Sequence, residues 1–91
     1  SVNRALLVEL LQAELPKITW TPPQASFLAW LDCRALELGD NPAETFLTRG
    51  RVALSRGFDY GPEGAGFVRL NFGTSPDHVA DAVRRMARAI S

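Results

Sequence analysis

The chain has 91 residues, with ten Lys and Arg against ten Asp and Glu, so its formal net charge at pH 7 is zero. This length allows one small domain and leaves no room for a second core. A neutral chain has no summed positive field to hold a phosphate backbone or an anionic membrane, which argues against nucleic-acid and membrane partners. No apolar run approaches the roughly 20 residues of a membrane helix. We therefore expect a soluble domain, and the single cysteine fits the reducing cytoplasm.

The chain has a single cysteine, Cys33, and a single histidine, His78. It can form no intrachain disulfide and cannot assemble a four-ligand Cys/His zinc site, so we expect no metal centre. We interpret Cys33 as a small buried hydrophobe and His78 as an exposed or capping side chain. The chain starts at Ser1 and not at a methionine, which indicates a piece of a longer protein.

The first part of the chain predicts a helix followed by a buried strand. Apolar residues from Val2 to Leu15 recur at spacings of three and four, the period of an amphipathic helix, and Pro16 ends it. Residues 20–23 include two prolines, which cannot donate ladder hydrogen bonds, and lead towards the next element. The apolar run from Ser26 to Asp32 has the length of a buried strand.

The middle of the chain predicts a short helix and a short strand. Residues 41–44 (Asn-Pro-Ala-Glu) place a cap, a proline at the first helical position and a glutamate that can reach back to the cap. We expect this helix to end near Arg49, with Gly50 in the left-handed conformation just beyond it. Residues 52–55 then have the composition of a strand.

The last part predicts a strand and a terminal helix. A glycine-rich loop at residues 57–66 precedes a run from Gly66 to Thr74 that alternates with the period of a strand. Ser75 caps the last helix, and its apolar residues from Val79 to Ile90 repeat at four, three and four. This order of elements predicts an α+β two-layer sandwich, with helices covering a small antiparallel or mixed sheet of three or four strands.

Arg69 is the strongest candidate for a ligand-binding residue. It lies with Phe67 and Asn71 on the more polar face of an otherwise apolar strand. A guanidinium on a rigid strand suits bidentate recognition of a carboxylate or phosphate. An exposed arginine, or a structural ion pair with an acidic residue, would explain the same pattern.

Other suggestive residues favour structural roles. The loop at residues 57–66 precedes a strand and has neither G-x-G-x-x-G nor G-K-S/T order, so the mechanism of a phosphate-binding loop is missing. Lys17, the only lysine, is interpreted as a solvated charge. The aromatic side chains expected in the core are Trp20, Phe27, Trp30, Phe46, Phe67 and Phe72.

Three sequence elements together resemble the C-terminal small domain of fold-type I pyridoxal-phosphate enzymes. They are the strand FLAWLD at residues 27–32, the G-x-x-Y-G loop at Gly57 to Gly61 and the run GFVRLN at Gly66 to Asn71. The chain is most similar to the cystathionine β-lyase-like branch of the class I/II aminotransferases, the bacterial C-S β-lyases. The resemblance covers residues 1–91, which are expected to form one such domain. One departure is Arg56, since relatives usually carry proline before this glycine.

The resemblance implies that Arg69 binds the α-carboxylate of an amino-acid substrate, as the arginine of the last strand does in that family. It also implies that Asn71, Tyr60 and Gly61 support the mouth of the site. The family's Schiff-base lysine lies in the large domain, and Lys17 does not have its sequence context. We therefore expect no catalytic residue in this chain, an inactive isolated chain, and pyridoxal phosphate held mainly by a large domain that is absent here.

The resemblance implies three partners: the amino-acid substrate, the large domain of the same polypeptide and a second copy in a homodimer. It leaves two reactions open, because one carboxylate-binding arginine serves a β-lyase, which expels a thiol, and equally an aminotransferase. A function of a different class is also open. In that alternative the chain is a stand-alone α+β binding module, and Arg69 recognises a small carboxylate or an acidic group of a protein partner.

Overall fold

The computed structural model describes residues 2–20 and 26–91. Residues 21–25, most of the predicted lead-in with its two prolines, lie outside the described residues. The described helices and strands follow the order α1 (Val2–Glu14), β1 (Leu28–Asp32), α2 (Pro42–Gly50), β2 (Ser55–Arg56), β3 (Phe67–Asn71) and α3 (Pro76–Ala89). These elements confirm the predicted α+β class with a three-stranded sheet. None of the described helices is long and apolar enough to cross a membrane.

β3 is the central strand of the sheet. The strand order is β1-β3-β2, and β3 pairs antiparallel with both neighbours, so the described sheet is antiparallel and not mixed. Trp30 on β1 and Ser55 on β2 lie directly opposite Arg69 on β3. Because opposite residues of an antiparallel pair point to the same face, these three residues form one row across the sheet.

The core lies on one face of the sheet only. Helix residues are buried together with the alternate strand residues Ala29, Leu31, Val68 and Leu70. On the other face, Trp30 is 39% exposed and its neighbour Leu28 is 38% exposed. The prediction of a buried strand over residues 26–32 is therefore wrong for this face. It also begins too early, because pairing with β3 starts at Leu28.

The aromatic side chains divide between the core and the surface. Phe46 and Phe72 are fully buried, as predicted, and Trp20 packs against the core. Phe27 is 53% exposed, so its assignment to the core is wrong, as is that of Trp30. Phe27 instead meets the edge of Phe72, with ring centroids 5.8 Å apart. Trp30 and the half-buried Phe67, which was also predicted in the core, lie instead on the face of the sheet that the described helices leave open.

α2 begins as predicted, with Asn41 at the cap position and Pro42 at the first helical position, but its capping bonds and its C-terminal end differ from the prediction. The Asn41 side chain makes no capping hydrogen bond to a described residue, and its backbone carbonyl accepts from the Glu44 N–H at 3.2 Å. Gly50 is the last helical residue, and Arg51 takes the left-handed conformation with φ 56°. The glycine serves packing instead: a Cβ on Gly50 would lie 2.4 Å from the Arg85 carbonyl oxygen. The Arg85 guanidinium also donates to the Arg51 carbonyl at 3.1 Å.

The strand predicted at residues 52–55 is shorter and begins later. On this side of β3 the strand has only two residues, Ser55 and Arg56, which pair with Arg69 and Val68. The segment that follows α2 therefore joins the sheet at Ser55 and not at residue 52.

The two terminal helices agree with the predictions. α1 ends at Glu14, two residues before Pro16. α3 begins at Pro76, and the Ser75 hydroxyl accepts a hydrogen bond from the His78 N–H at 3.2 Å. The His78 side chain is exposed. Apolar periodicity therefore predicts both helices, and for α3 the Ser75 cap also marks where the helix begins.

Candidate functional site

Arg69 lies in the middle of the central strand, on the face of the sheet that the described helices leave open. Its side chain is half-buried. The guanidinium carbon lies over the Tyr60 ring, 4.6 Å from the ring centroid. The strand neighbours Trp30 and Ser55 fix the point from which the side chain emerges.

Arg69 has no acidic partner within the described part of the chain. The ion pairs there join Arg34 to Asp32 at 2.9 Å, Arg56 to Asp59 at 3.0 Å and Arg85 to Asp81 at 2.8 Å. Among the same residues, the Arg69 guanidinium also forms no side-chain hydrogen bond. Its donors are therefore available to a ligand, and the alternative of a structural ion pair finds no support among the described residues.

Three aromatic rings extend across the open face from Arg69; we call Tyr60, Trp30 and Phe67 the aromatic row. Tyr60 and Trp30 meet edge to face with centroids 6.2 Å apart. Trp30 stacks on Phe67 with centroids 5.2 Å apart and 18° between the ring planes. Arg34 covers the far end, with its guanidinium carbon 5.1 Å from the Phe67 centroid. The row thus lies between two arginines.

The arginine at the far end is fixed by a two-point ion pair. Arg34 donates from Nε to Oδ1 of Asp32 at 3.0 Å and from Nη2 to Oδ2 at 2.9 Å. The hydrogen bond from Arg34 is the main cause that lowers the pKa of Asp32. Because the Arg34 side chain is 68% exposed, this pair contributes more to geometry than to stability.

Close backbone contacts shape the loop that carries Tyr60. Gly57 and Gly64 are buried against each other, and a Cβ on Gly64 would lie 2.1 Å from the Gly57 carbonyl oxygen. Gly61 follows Tyr60 with φ 136°, a conformation that favours glycine. The loop therefore presents Tyr60 from a tightly closed turn.

Arg56 lies where the enzymes that the chain resembles usually carry proline. Its backbone nevertheless has the φ angle that a proline would have. Its φ is −70°, a value that proline also adopts. Its side chain forms the ion pair with Asp59 and lies over the Phe58 ring at 5.0 Å. These two contacts link the Arg56 side chain to the residues that follow it at the start of the loop.

Asn71 lies at the end of β3, opposite Leu28. The side chain is exposed, and its Oδ1 accepts a hydrogen bond from the Gly73 N–H at 2.8 Å. The residue therefore fixes the turn after β3. A role for Asn71 and Gly61 at the mouth of a site remains a prediction.

Cys33 and Lys17 lie apart from these contacts. Cys33 is 1% exposed, and burial raises the pKa of its thiol to about 12. Lys17 is exposed in the turn after α1. Within residues 2–20 and 26–91, no group of three His, Cys, Asp or Glu side chains could hold a metal ion.

We expect the native Cys33 thiol to resist alkylation at mildly alkaline pH, because it is buried and its pKa of about 12 keeps it protonated. Above its ordinary pKa of 9.0 the unfolded thiol loses its proton while the folded one keeps it. The free energy of unfolding should therefore fall by about 1.4 kcal/mol per pH unit between these two pKa values. Iodoacetamide labelling with and without denaturant tests the expected resistance to alkylation, and equal labelling rates would contradict it. A Cys33→Ala variant should lack this part of the pH dependence.

Known proteins similar to this chain are enzymes about four times longer. No protein-family model matches the chain. A candidate cystathionine beta-lyase of Mycobacterium tuberculosis is 41% identical over 97% of this chain and 26% of that protein. Cystathionine beta-lyase PatB of Bacillus subtilis is 44% identical over 89% of this chain and 21% of that protein. A crystal structure of a candidate pyridoxal-phosphate-dependent β-cystathionase from Corynebacterium diphtheriae is 38% identical with a TM-score of 0.88, over 98% of this chain and 24% of that one.

The fold and these similarities agree on one class: the chain is homologous to part of the fold-type I pyridoxal-phosphate enzymes. Within that class its relatives are cystathionine β-lyases. The comparisons confirm the predicted resemblance to the C-terminal small domain of that branch. The chain spans about a quarter of the length of the relatives it matches.

Sequence reasoning missed that Trp30 faces the candidate site. The available signal was the polar residue Asp32, which lies two positions further along the same strand and therefore on the same face. The contact between Tyr60 and Arg69 had no such signal, because the turns of the intervening loop bring the two side chains together.

Proposed function

We propose that residues 1–91 act as the C-terminal small domain of a pyridoxal-phosphate-dependent C-S β-lyase, in which Arg69 binds the α-carboxylate of the amino-acid substrate. The observation that carries this proposal is the half-buried Arg69 guanidinium on the central strand, with no acidic partner in the described part of the chain. The planar fork of a guanidinium matches a carboxylate with two parallel hydrogen bonds.

The residues of this chain are suited to lie beside the cofactor. They are less suited to bind it. Lys17 is the only lysine and is exposed, which does not suit a lysine that forms a covalent bond to the cofactor in a closed site. Pyridoxal phosphate, when bound, withdraws electrons from the substrate's α-carbon and so loosens its proton. The rest of a longer polypeptide would supply the lysine and the phosphate contacts. The isolated chain is accordingly inactive under this proposal.

The chain's own contribution is to bind and orient the substrate. Two hydrogen bonds from Arg69 fix both the position and the rotation of the carboxylate, and hence the direction of the bonds at the neighbouring carbon. Tyr60 places apolar ring surface against the guanidinium, and Trp30 lies beside Tyr60 and opposite Arg69 in the sheet. Covered by a second domain, that surface keeps water from the ion pair and strengthens it.

Between the two reactions that the sequence leaves open, the relatives favour the lyase. The proteins that are 41% and 44% identical both carry the name cystathionine beta-lyase. Their greater length also supports a domain of a larger enzyme over a stand-alone binding module. A homodimer of the full-length protein, implied by the resemblance, is part of the same proposal.

The proposal is tested by assaying the full-length protein on L-cystathionine, with the 91-residue chain as the control. A β-lyase consumes water and releases homocysteine, pyruvate and ammonia without a keto-acid acceptor. We expect that outcome for the full-length protein and no turnover by the control. Amino transfer that depends on an added keto acid would identify an aminotransferase instead. No reaction of either kind, despite a folded protein, would favour the binding module.

A further inference from the structure

We infer that Tyr60 is a positioning residue, whose ring holds the Arg69 guanidinium in the orientation that a carboxylate requires. This inference rests on the proposed function and deepens it. Under this inference, a side chain from the glycine-rich loop orders the arginine. That side chain touches the guanidinium and does not touch the reacting atoms.

The first support is the contact itself. The Arg69 guanidinium carbon lies over the Tyr60 ring at 4.6 Å from its centroid, within the range of a cation–π interaction. A guanidinium packed over a ring uses its face for that contact and keeps its N–H edge for hydrogen bonds. The edge is the part of the group that forms a two-point contact with a carboxylate.

The second support is that Arg69 needs such a restraint. An arginine side chain has several rotatable bonds, and ordering them upon ligand binding weakens the affinity. Among the described residues, no hydrogen bond or salt bridge restrains the guanidinium. The Tyr60 ring provides the contact that orders it before a ligand arrives.

The third support is that Tyr60 is itself held from two sides. Trp30 meets its ring at a centroid distance of 6.2 Å, and Phe67 stacks on Trp30 from behind. The backbone contact between Gly57 and Gly64 closes the turn from which Tyr60 projects. A ring fixed in this way can transmit its orientation to the arginine.

The Tyr60 hydroxyl does not contribute to the ordering of the Arg69 guanidinium. It makes no hydrogen bond to a described residue, whereas the ring contacts both Trp30 and Arg69. Phenylalanine should therefore replace tyrosine at this position with little loss, and an aliphatic residue should not. Tyr60 is 50% exposed, so neither change removes a core side chain.

The experiment uses the full-length protein loaded with its cofactor and compares Tyr60→Leu with Tyr60→Phe. The probes are L-methionine, which has no leaving group on its β-carbon, and 3-(methylthio)propylamine, the same molecule without the carboxylate. Dissociation constants come from calorimetry. We expect Tyr60→Leu to weaken L-methionine binding by about three- to thirtyfold, the range of cation–π energies. Amine binding should be unchanged, and Tyr60→Phe should match the original protein.

Steady-state kinetics provide a second readout. Tyr60→Leu should raise KM for L-cystathionine by a similar factor with little change in kcat. In an Arg69→Ala background the same change should have no further effect, because the group it orders is gone. A purely structural role for Tyr60 would lower kcat and weaken both probes alike, which would overturn the inference.

The remaining outcomes separate the two proposals. If Arg69→Ala weakens L-methionine binding and Tyr60→Leu does not, the inference about Tyr60 is overturned and the proposed function stands. If Arg69→Ala leaves L-methionine binding unchanged, the carboxylate role of Arg69 is wrong and both proposals fall.

Discussion

Replacing Arg69 with alanine in the full-length protein is expected to raise KM for the amino-acid substrate by about one and a half to three and a half orders of magnitude. The substitution removes both hydrogen bonds to the carboxylate and leaves its charge unpaired, a loss of about 2–5 kcal/mol, and each 1.4 kcal/mol is a factor of ten in affinity. Cofactor absorbance should stay close to that of the original protein, because under the proposed function the rest of the polypeptide supplies the cofactor contacts. Steady-state kinetics with L-cystathionine provide the measurement.

Two further variants sharpen this prediction. Arg69→Lys keeps the charge but loses the planar fork, so its KM should lie between those of the original protein and the alanine variant. Arg84→Ala removes an exposed arginine from α3 and is the matched control, for which no change is expected. An Arg69→Ala variant whose KM equals that of the control would contradict the carboxylate assignment.

The second large effect is expected at Gly64, where alanine should lower the free energy of unfolding by about 3 kcal/mol. A Cβ at this position would lie 2.1 Å from the Gly57 carbonyl oxygen, and backbone atoms cannot move aside as a flexible side chain can. The loop from Gly57 to Gly64 would have to open, and Tyr60 would move with it. Urea denaturation followed by circular dichroism measures the loss.

Gly39 provides the control for the general cost of replacing a glycine. Its φ of 85° disfavours alanine, but among the described residues no atom beyond Gly39 and its two chain neighbours lies within 4 Å of the position a Cβ would take. Gly39→Ala should therefore lose only about 1 kcal/mol, the cost of the left-handed conformation alone. If Gly64→Ala is no more destabilised than Gly39→Ala, the close contact between Gly57 and Gly64 is not a constraint on the loop.

The parts of the fold that depend on neighbouring residues could be predicted from the sequence. The Ser75 cap, the proline after it and the apolar period of α3 all lie within one element, and the helix begins where they predict. The alternation around Arg69 likewise indicated its face of β3 correctly, because the period of a strand is a local property.

The parts that depend on distant residues could not be predicted. Gly50 was expected to end α2 in the left-handed conformation, but α3 approaches that helix closely enough to require a glycine within it. Arg51 takes the left-handed position instead, and Arg85 binds its carbonyl from 34 residues further along the chain. No local pattern contains that contact.

The candidate site combines both kinds of information. The resemblance indicated Arg69, Tyr60, Asn71 and Gly61 from their motifs. The motif could not show that the Tyr60 ring covers the arginine, since that contact depends on how the loop folds back over the sheet. Trp30 was missed because a run of apolar residues looks buried until the sheet is known to be covered on one face only.

A crystal structure of the full-length protein with L-methionine bound tests the central claim most directly. The account predicts two Arg69 nitrogens about 2.7–2.9 Å from the two carboxylate oxygens, the distance of charge-assisted hydrogen bonds. It also predicts that the Tyr60 ring remains against the guanidinium. A carboxylate held by other residues, with Arg69 turned away from it, would contradict the role proposed for this domain.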